Sequence, residues 1–105
     1  MYYVAKLTKE NDGGYSVEFP DVPGCITQGD TMDEALAMAK DALELVLEEY
    51  LDGKPLPSPD TDEDHSKGLY RVYVDEKLAG KLLEKYKSSA IGVLEQLDSA
   101  GFFGR

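Results

Sequence analysis

The chain has 105 residues, which is enough for one small domain with a modest core. Its formal net charge of −10 is unevenly spread: residues 1–64 hold 16 acidic and 4 basic side chains, whereas residues 65–105 carry a net charge of +2. The N-terminal part should therefore repel nucleic acid and attract basic partners. A single cysteine excludes an intramolecular disulfide framework. With no apolar run of transmembrane length and no signal-peptide core, we expect a cytoplasmic protein with no membrane segment.

The first 28 residues predict three short strands. Residues 2–9 alternate between apolar and polar side chains, and residues 15–19 do the same. The turn signal at residues 11–14, Asn-Asp-Gly-Gly, joins the two runs into a predicted β-hairpin. A loop with two prolines follows, and residues 25–28 are predicted to form a third strand.

An amphipathic helix over residues 31–52 is the longest predicted element. Thr31 and Glu34 have the spacing of a capping box, and Gly53 followed by Pro55 is typical of a helix end. Apolar side chains recur at three- and four-residue steps, which predicts one buried stripe and an acidic face opposite to it. The stripe consists of Met32, Leu36, Ala39, Leu43, Val46, Leu47 and Tyr50.

The expected fold is α+β, a four-stranded sheet in the order 3-2-1-4 with the long helix packed on it, over residues 1–75. The fourth strand is predicted at residues 69–74, parallel to the first, after a proline-punctuated acidic linker, residues 54–67, that we expect to be mobile. Residues 76–105 are predicted to be a short helical C-terminal tail and a candidate oligomerisation segment. Its candidate interface residues are Leu82, Tyr86, Phe102 and Phe103.

No pattern of residues demands catalysis, a metal or a cofactor. His65 follows three acidic residues, but this polar linker favours a solvated role over a metal site. Cys25 has no partner histidine nearby and is interpreted as a small buried hydrophobe. We therefore predict a protein that is not an enzyme, with no metal and no cofactor.

Two partner hypotheses remain open. The acidic helix face is either a plain solvent boundary or a surface for a basic protein. Residues 69–87 begin like a ribbon-helix-helix unit, with Arg71 and four lysines, and suggest a DNA-binding repressor as the alternative. A strongly acidic chain is unfavourable for phosphate contacts, and residues 69–74 are already needed as the fourth strand.

The sequence resembles the HicB antitoxin family over about residues 2–60. The resemblance is carried by residues 14–31 (GYSVEFPDVPGCITQGDT), by Glu34-Ala35 and by residues 55–59 (PLPSP). It implies a partial ribonuclease-H-like β-β-β-α-β unit without nuclease activity. It also implies that the protein binds and silences a small basic toxin of HicA type, an mRNA-cleaving ribonuclease.

The resemblance further implies self-association, as a dimer or tetramer. The chain departs from many family members because only about 31 residues follow the fourth strand, without a full DNA-binding motif. That departure puts autoregulation in doubt and leaves open an orphan protein without a toxin. The candidate partner-binding residues are acidic: Glu18, Asp21, Asp41, Glu44, Glu48 and Asp52.

Overall fold

The computed structural model describes residues 1–84 as a four-stranded sheet covered by one long helix. Numbered along the chain, the strands lie in the order 3-2-1-4, which confirms the predicted order. Residues 76–84 form a second helix, α2. The other elements, in chain order, are β1 (Tyr2–Lys9), β2 (Tyr15–Glu18), β3 (Ile26–Gly29), α1 (Met32–Glu48) with a 3₁₀ turn at Glu49–Asp52, a second 3₁₀ turn at His65–Lys67, and β4 (Leu69–Tyr73).

The predicted hairpin is confirmed. β1 and β2 pair antiparallel with Leu7 opposite Val17, so that both apolar side chains lie on the face that α1 covers. Gly13 adopts a φ of 95° in the turn, a conformation that glycine reaches without strain. The hairpin therefore sets the register that separates the buried and exposed faces of the sheet.

The predicted helix cap and buried stripe are also confirmed. The Thr31 hydroxyl accepts a hydrogen bond from the backbone N–H of Glu34 at 3.1 Å. The fully buried positions recur every four residues, and Gly53 ends the following 3₁₀ turn in the left-handed conformation, with φ 99°. These buried positions are Ala35, Ala39, Leu43 and Leu47, with Met32, Leu36, Val46 and Tyr50 partly buried beside them.

The direction of β4 was predicted wrongly: it runs antiparallel to β1, not parallel. The prediction assumed that the helix alone carries the chain back across the sheet, which would place β4 parallel to β1. Instead, the linker after the helix first runs along β1. Two hydrogen bonds mark its path: the Tyr3 hydroxyl donates to the Pro57 carbonyl at 2.6 Å, and the Leu7 N–H donates to the Gly68 carbonyl at 2.8 Å. Tyr3 lies near the start of β1 and Leu7 near its end, so β4 can pair with β1 only by running back.

Hydrogen bonds connect the linker, residues 54–67, to the rest of the domain. Both Asp21 carboxylate oxygens accept hydrogen bonds from Thr61, one from its backbone N–H at 2.8 Å and one from its hydroxyl at 3.0 Å. Asp64 and Leu69 exchange two backbone hydrogen bonds of 3.0 Å each. The linker is therefore anchored to the loop after β2 and to the outer edge of β4.

Part of the predicted tail belongs to the core. Ala79 and Leu82 on α2 are only 8% and 1% exposed and pack in the same cluster as the α1 stripe. The Leu82 side chain is therefore used within the domain, which corrects its expected place at an oligomer interface. The other three candidate interface residues, Tyr86, Phe102 and Phe103, lie outside the described residues.

Replacing Leu43 by alanine should lower the free energy of unfolding by about 2–5 kcal/mol, because Leu43 is 0% exposed at the middle of the stripe. Urea denaturation followed by far-UV circular dichroism measures the change. The matched control is Leu83→Ala, at a position that is 42% exposed, where a loss of less than about 1 kcal/mol is expected. Equal losses in the two variants would contradict the packing described for α1.

Candidate interaction surfaces

One exposed acidic surface lies on α1 opposite the buried stripe. Glu34, Asp41 and Glu48 are spaced seven residues apart, so they lie in line along the helix, and all three are exposed. We call these three residues the acidic face. Lys40 does not neutralise it, because its ammonium group binds Glu44 at 2.7 Å and the Tyr73 carbonyl at 3.2 Å on the β4 side of the helix.

The six predicted partner residues do not form one surface. Asp41 and Glu48 belong to the acidic face, and Asp52 is exposed in the 3₁₀ turn that continues α1. Glu18 lies on β2 directly opposite Lys6, and the alternation along β1 and β2 points both side chains to the sheet face away from α1. A single partner on α1 therefore cannot contact Glu18 at the same time.

Two of the predicted residues hold the fold together. The Glu44 carboxylate accepts hydrogen bonds from Lys40 and from the backbone N–H of Asp75 at 2.6 Å, at the point where α2 begins. Asp21 uses both of its carboxylate oxygens on Thr61. These contacts give Glu44 and Asp21 structural roles within the chain. Glu34 was predicted on the acidic face of the helix but was not among the candidate partner-binding residues, although it lies seven residues before Asp41.

Charged side chains also cover the outer edge of β4. One Glu63 carboxylate oxygen accepts the backbone N–H of Arg71 at 2.9 Å and lies 3.1 Å from the His65 ring nitrogen. The hydrogen bond from the Arg71 backbone, and then that from His65, lower the pKa of Glu63. His65 is exposed but stacks on the Tyr70 ring with 4.4 Å between centroids. No group of three potential metal ligands occurs among residues 1–84.

The surroundings of Cys25 do not suit a nucleophile. Its side chain is 1% exposed within the core, and burial raises the pKa of its thiol to about 11. A thiol with that pKa carries almost no thiolate near neutral pH. This placement agrees with its interpretation as a small buried hydrophobe.

A four-stranded antiparallel sheet covered by α1, with an acidic face on the solvent side of that helix, defines a small α+β domain. Within residues 1–84 no helix is both long enough and apolar enough to span a membrane. The family model described as the HicB-like antitoxin of bacterial toxin-antitoxin systems matches residues 3–73. The chain belongs to this family.

Curated relatives and solved structures point in the same direction. The chain is 44% identical over 68 residues to the antitoxin HicB of Escherichia coli K12, covering 62% of this chain and 49% of that protein. It is 48% identical over 62 residues to antitoxin HicB 1 of Photorhabdus laumondii, covering 56% of this chain and 40% of that protein. The chain thus spans less than half the length of these relatives.

Two solved structures share the fold. The N-terminal domain of the Burkholderia pseudomallei antitoxin HicB superposes with a TM-score of 0.58 at 23% identity, over 71% of this chain and 99% of that chain. A chain of a HicA3 and HicB3 toxin-antitoxin complex superposes with a TM-score of 0.56 at 29% identity, with the same coverage. These matches confirm the predicted α+β architecture.

Acidification should weaken one contact between the linker and β4, the hydrogen bond from the Arg71 backbone to Glu63. The pKa of Glu63 is lowered in the folded protein, so its contribution to stability is present above the ordinary carboxyl pKa and is lost as the pH falls through the lowered value. We expect the Arg71 amide to exchange its hydrogen faster as Glu63 becomes protonated.

Hydrogen exchange measured by NMR as a function of pH tests this expectation, after correction for the intrinsic pH dependence of exchange. In Glu63→Gln the protection of Arg71 should no longer depend on carboxyl titration. The Val74 amide, which donates to the Met1 carbonyl at 3.0 Å without any carboxylate, is the internal control. Equal changes at both amides would contradict the role given to Glu63.

Proposed function

We propose that this chain is an antitoxin that binds and neutralises a small basic ribonuclease toxin of HicA type. The observation that carries the proposal is the family match over residues 3–73. It is supported by relatives named as HicB antitoxins and by a structural neighbour that comes from a HicA3 and HicB3 toxin-antitoxin complex.

The acidic face is the surface that we assign to the toxin. A ribonuclease that binds RNA presents positive charge to phosphates, and an acidic surface is complementary to it. Glu34, Asp41 and Glu48 are exposed and point away from the core, so a partner can approach them without disturbing the fold. Asp52, exposed in the 3₁₀ turn after α1, extends this surface toward the end of the helix.

Neutralisation then requires binding and no chemistry. An acidic domain seated on the basic surface of the toxin excludes RNA by competition for the same charges. On this proposal the protein is not an enzyme and acts in the cytoplasm, where the toxin would meet mRNA. Asp21 fits a structural role better than a catalytic one, since both of its carboxylate oxygens are occupied by Thr61.

The placement of β4 supports a protein partner over DNA as the main ligand. A ribbon-helix-helix protein inserts a strand paired with that of a second copy into the major groove. Here β4 is paired along its length with β1, from Tyr2 opposite Tyr73 to Lys6 opposite Leu69. Arg71 is stacked over the Tyr2 ring, with 4.6 Å from its guanidinium carbon to the ring centroid.

Removing two charges from the acidic face should weaken toxin binding. We expect Asp41→Asn with Glu48→Gln to raise the Kd for a catalytically inactive HicA-type toxin by roughly 2- to 30-fold, since each exposed ion pair contributes about 0.2–1 kcal/mol. The affinity should also fall as salt is raised, because exposed charges are screened. Isothermal titration calorimetry with the full chain measures both effects.

The control variant removes the same charge elsewhere. Glu10→Gln with Asp60→Asn changes two exposed acids outside α1 and gives the same net charge, so only the position differs. Equal weakening by both double variants would contradict the assigned surface while leaving the antitoxin function intact. A wild-type chain that binds none of a panel of HicA-type toxins and rescues no toxin-arrested cells would contradict the function itself.

A further inference from the structure

The two edges of the sheet differ in whether their outward backbone groups are hydrogen-bonded. At the β4 edge, most outward backbone groups are already bonded: Leu69 pairs with Asp64, the Arg71 N–H donates to Glu63, and the Tyr73 carbonyl accepts from Lys40. These contacts cover the edge with side chains and linker, which prevents another strand from adding there.

The β3 edge is open in the part of the chain that the structure describes. The Phe19 N–H donates to the Cys25 carbonyl at 3.1 Å, so the antiparallel alternation directs the backbone groups of Thr27 toward β2 and those of Ile26 and Gln28 away from the sheet. Within residues 1–84, no backbone hydrogen bond reaches these two outward N–H and two outward carbonyl groups. The Ile26 side chain is 72% exposed.

The helix above this edge also carries exposed apolar side chains. Lys40 binds the Tyr73 carbonyl, so its flank of α1 faces β4. At 3.6 residues per turn, Met38 and Leu45 lie about 160° and 140° around the helix from Lys40, on the β3 side. Met38 is 40% exposed and Leu45 is 69% exposed. The open backbone edge is thus bordered by exposed apolar side chains on both faces of the sheet.

We propose that a second copy of this chain adds to the β3 edge, so that two sheets join into one eight-stranded sheet about a two-fold axis at Thr27. In this register Ile26 of each copy lies opposite Gln28 of the other. Each such pair exchanges two hydrogen bonds, so the four bonds together satisfy all eight outward groups of the two edges. A shift of the register in either direction leaves some of these groups without partners.

Charge favours a second copy over the basic toxin at this place. The residues of the open edge itself, residues 26–29, carry no charge, whereas Met38 and Leu45 on the helix above lie three or four residues from Asp41 and so border the acidic face. A basic toxin has no opposite charges to pair with along the edge strand, whereas it finds them on the acidic face. An uncharged edge is also a place where two chains of net charge −10 can meet without placing carboxylates directly together.

The two-fold axis makes a specific cross-linking prediction. Thr27 faces Thr27 of the second copy as a non-hydrogen-bonded pair, whose Cα atoms lie about 4.5 Å apart, within the range of a disulfide. In the full-length chain, Thr27→Cys should form a covalent dimer when two thiols are oxidised by oxidised glutathione. Cys25 contributes little background, because it is buried and has a pKa of about 11.

Gln28→Cys is the matched control one position along the same strand. Residue 28 is more exposed than Thr27, but its counterpart across the axis is Ile26, so two thiols at position 28 are too far apart for a disulfide. We expect several-fold more covalent dimer from Thr27→Cys than from Gln28→Cys on a non-reducing gel. Yields that are equal, or higher for Gln28→Cys, would overturn the proposal.

A proline at position 28 supplies an independent test. Gln28→Pro removes an N–H that does not bond to β2 and places a ring where the second strand would lie, and prolines are tolerated on edge strands. Combined with Thr27→Cys, it should abolish the covalent dimer while circular dichroism shows a folded chain. If the variant unfolds, Leu45→Lys in the Thr27→Cys background replaces it. A covalent dimer that persists at full yield in the folded combined variant would overturn the proposal.

Discussion

The close packing of the first turn of α1 on the end of β3 is the constraint on which the other features depend. Gly29 is buried at the end of β3, and a Cβ atom there would collide with the backbone of Ala35. Only glycine permits this approach, so the helix is seated over the β3 side of the sheet. The Thr31 cap then fixes where α1 begins, and the four-residue spacing of its buried side chains fixes which face turns to solvent.

From this placement the surfaces of the domain follow. One flank of α1 reaches β4 through Lys40 and Glu44, and Glu44 also holds the start of α2. The side of α1 away from Lys40 carries the exposed side chains of Met38 and Leu45, beside Asp41 and Glu48 of the acidic face. A single helix thereby presents one side that is bonded to β4 and a solvent-facing side on which exposed apolar and acidic residues are neighbours.

The local elements could be predicted from the sequence because their signals lie within a few residues of one another. The hairpin follows from alternation around residues 11–14, and the helix from Thr31, its apolar period and Gly53. The direction of β4 could not be predicted in this way. It depends on hydrogen bonds between residues that are far apart in sequence, such as Tyr3 with Pro57 and Leu7 with Gly68, and no local pattern encodes these pairs.

The same reason explains which site residues were anticipated. Asp41 and Glu48 were identified because helical periodicity shows which side chains face away from the core. The structural roles of Asp21 and Glu44 were not anticipated, because their partners lie 40 and 31 residues further along the chain. An acidic residue looks the same in a sequence whether it faces a partner protein or bonds to a distant backbone N–H. Only the fold distinguishes the two cases.

The pairing of β1 with β4 has a consequence for how the domain folds. β1 is a central strand, yet its two neighbours lie at very different distances from it in the sequence. β2 begins at residue 15, whereas β4 begins at residue 69. A chain that is still being synthesised can form the hairpin early, but one side of β1 must then wait until most of the domain exists. Contacts of such long sequence separation slow folding. Until β4 is made, the unpaired edge of β1 is a site at which nascent chains can pair wrongly.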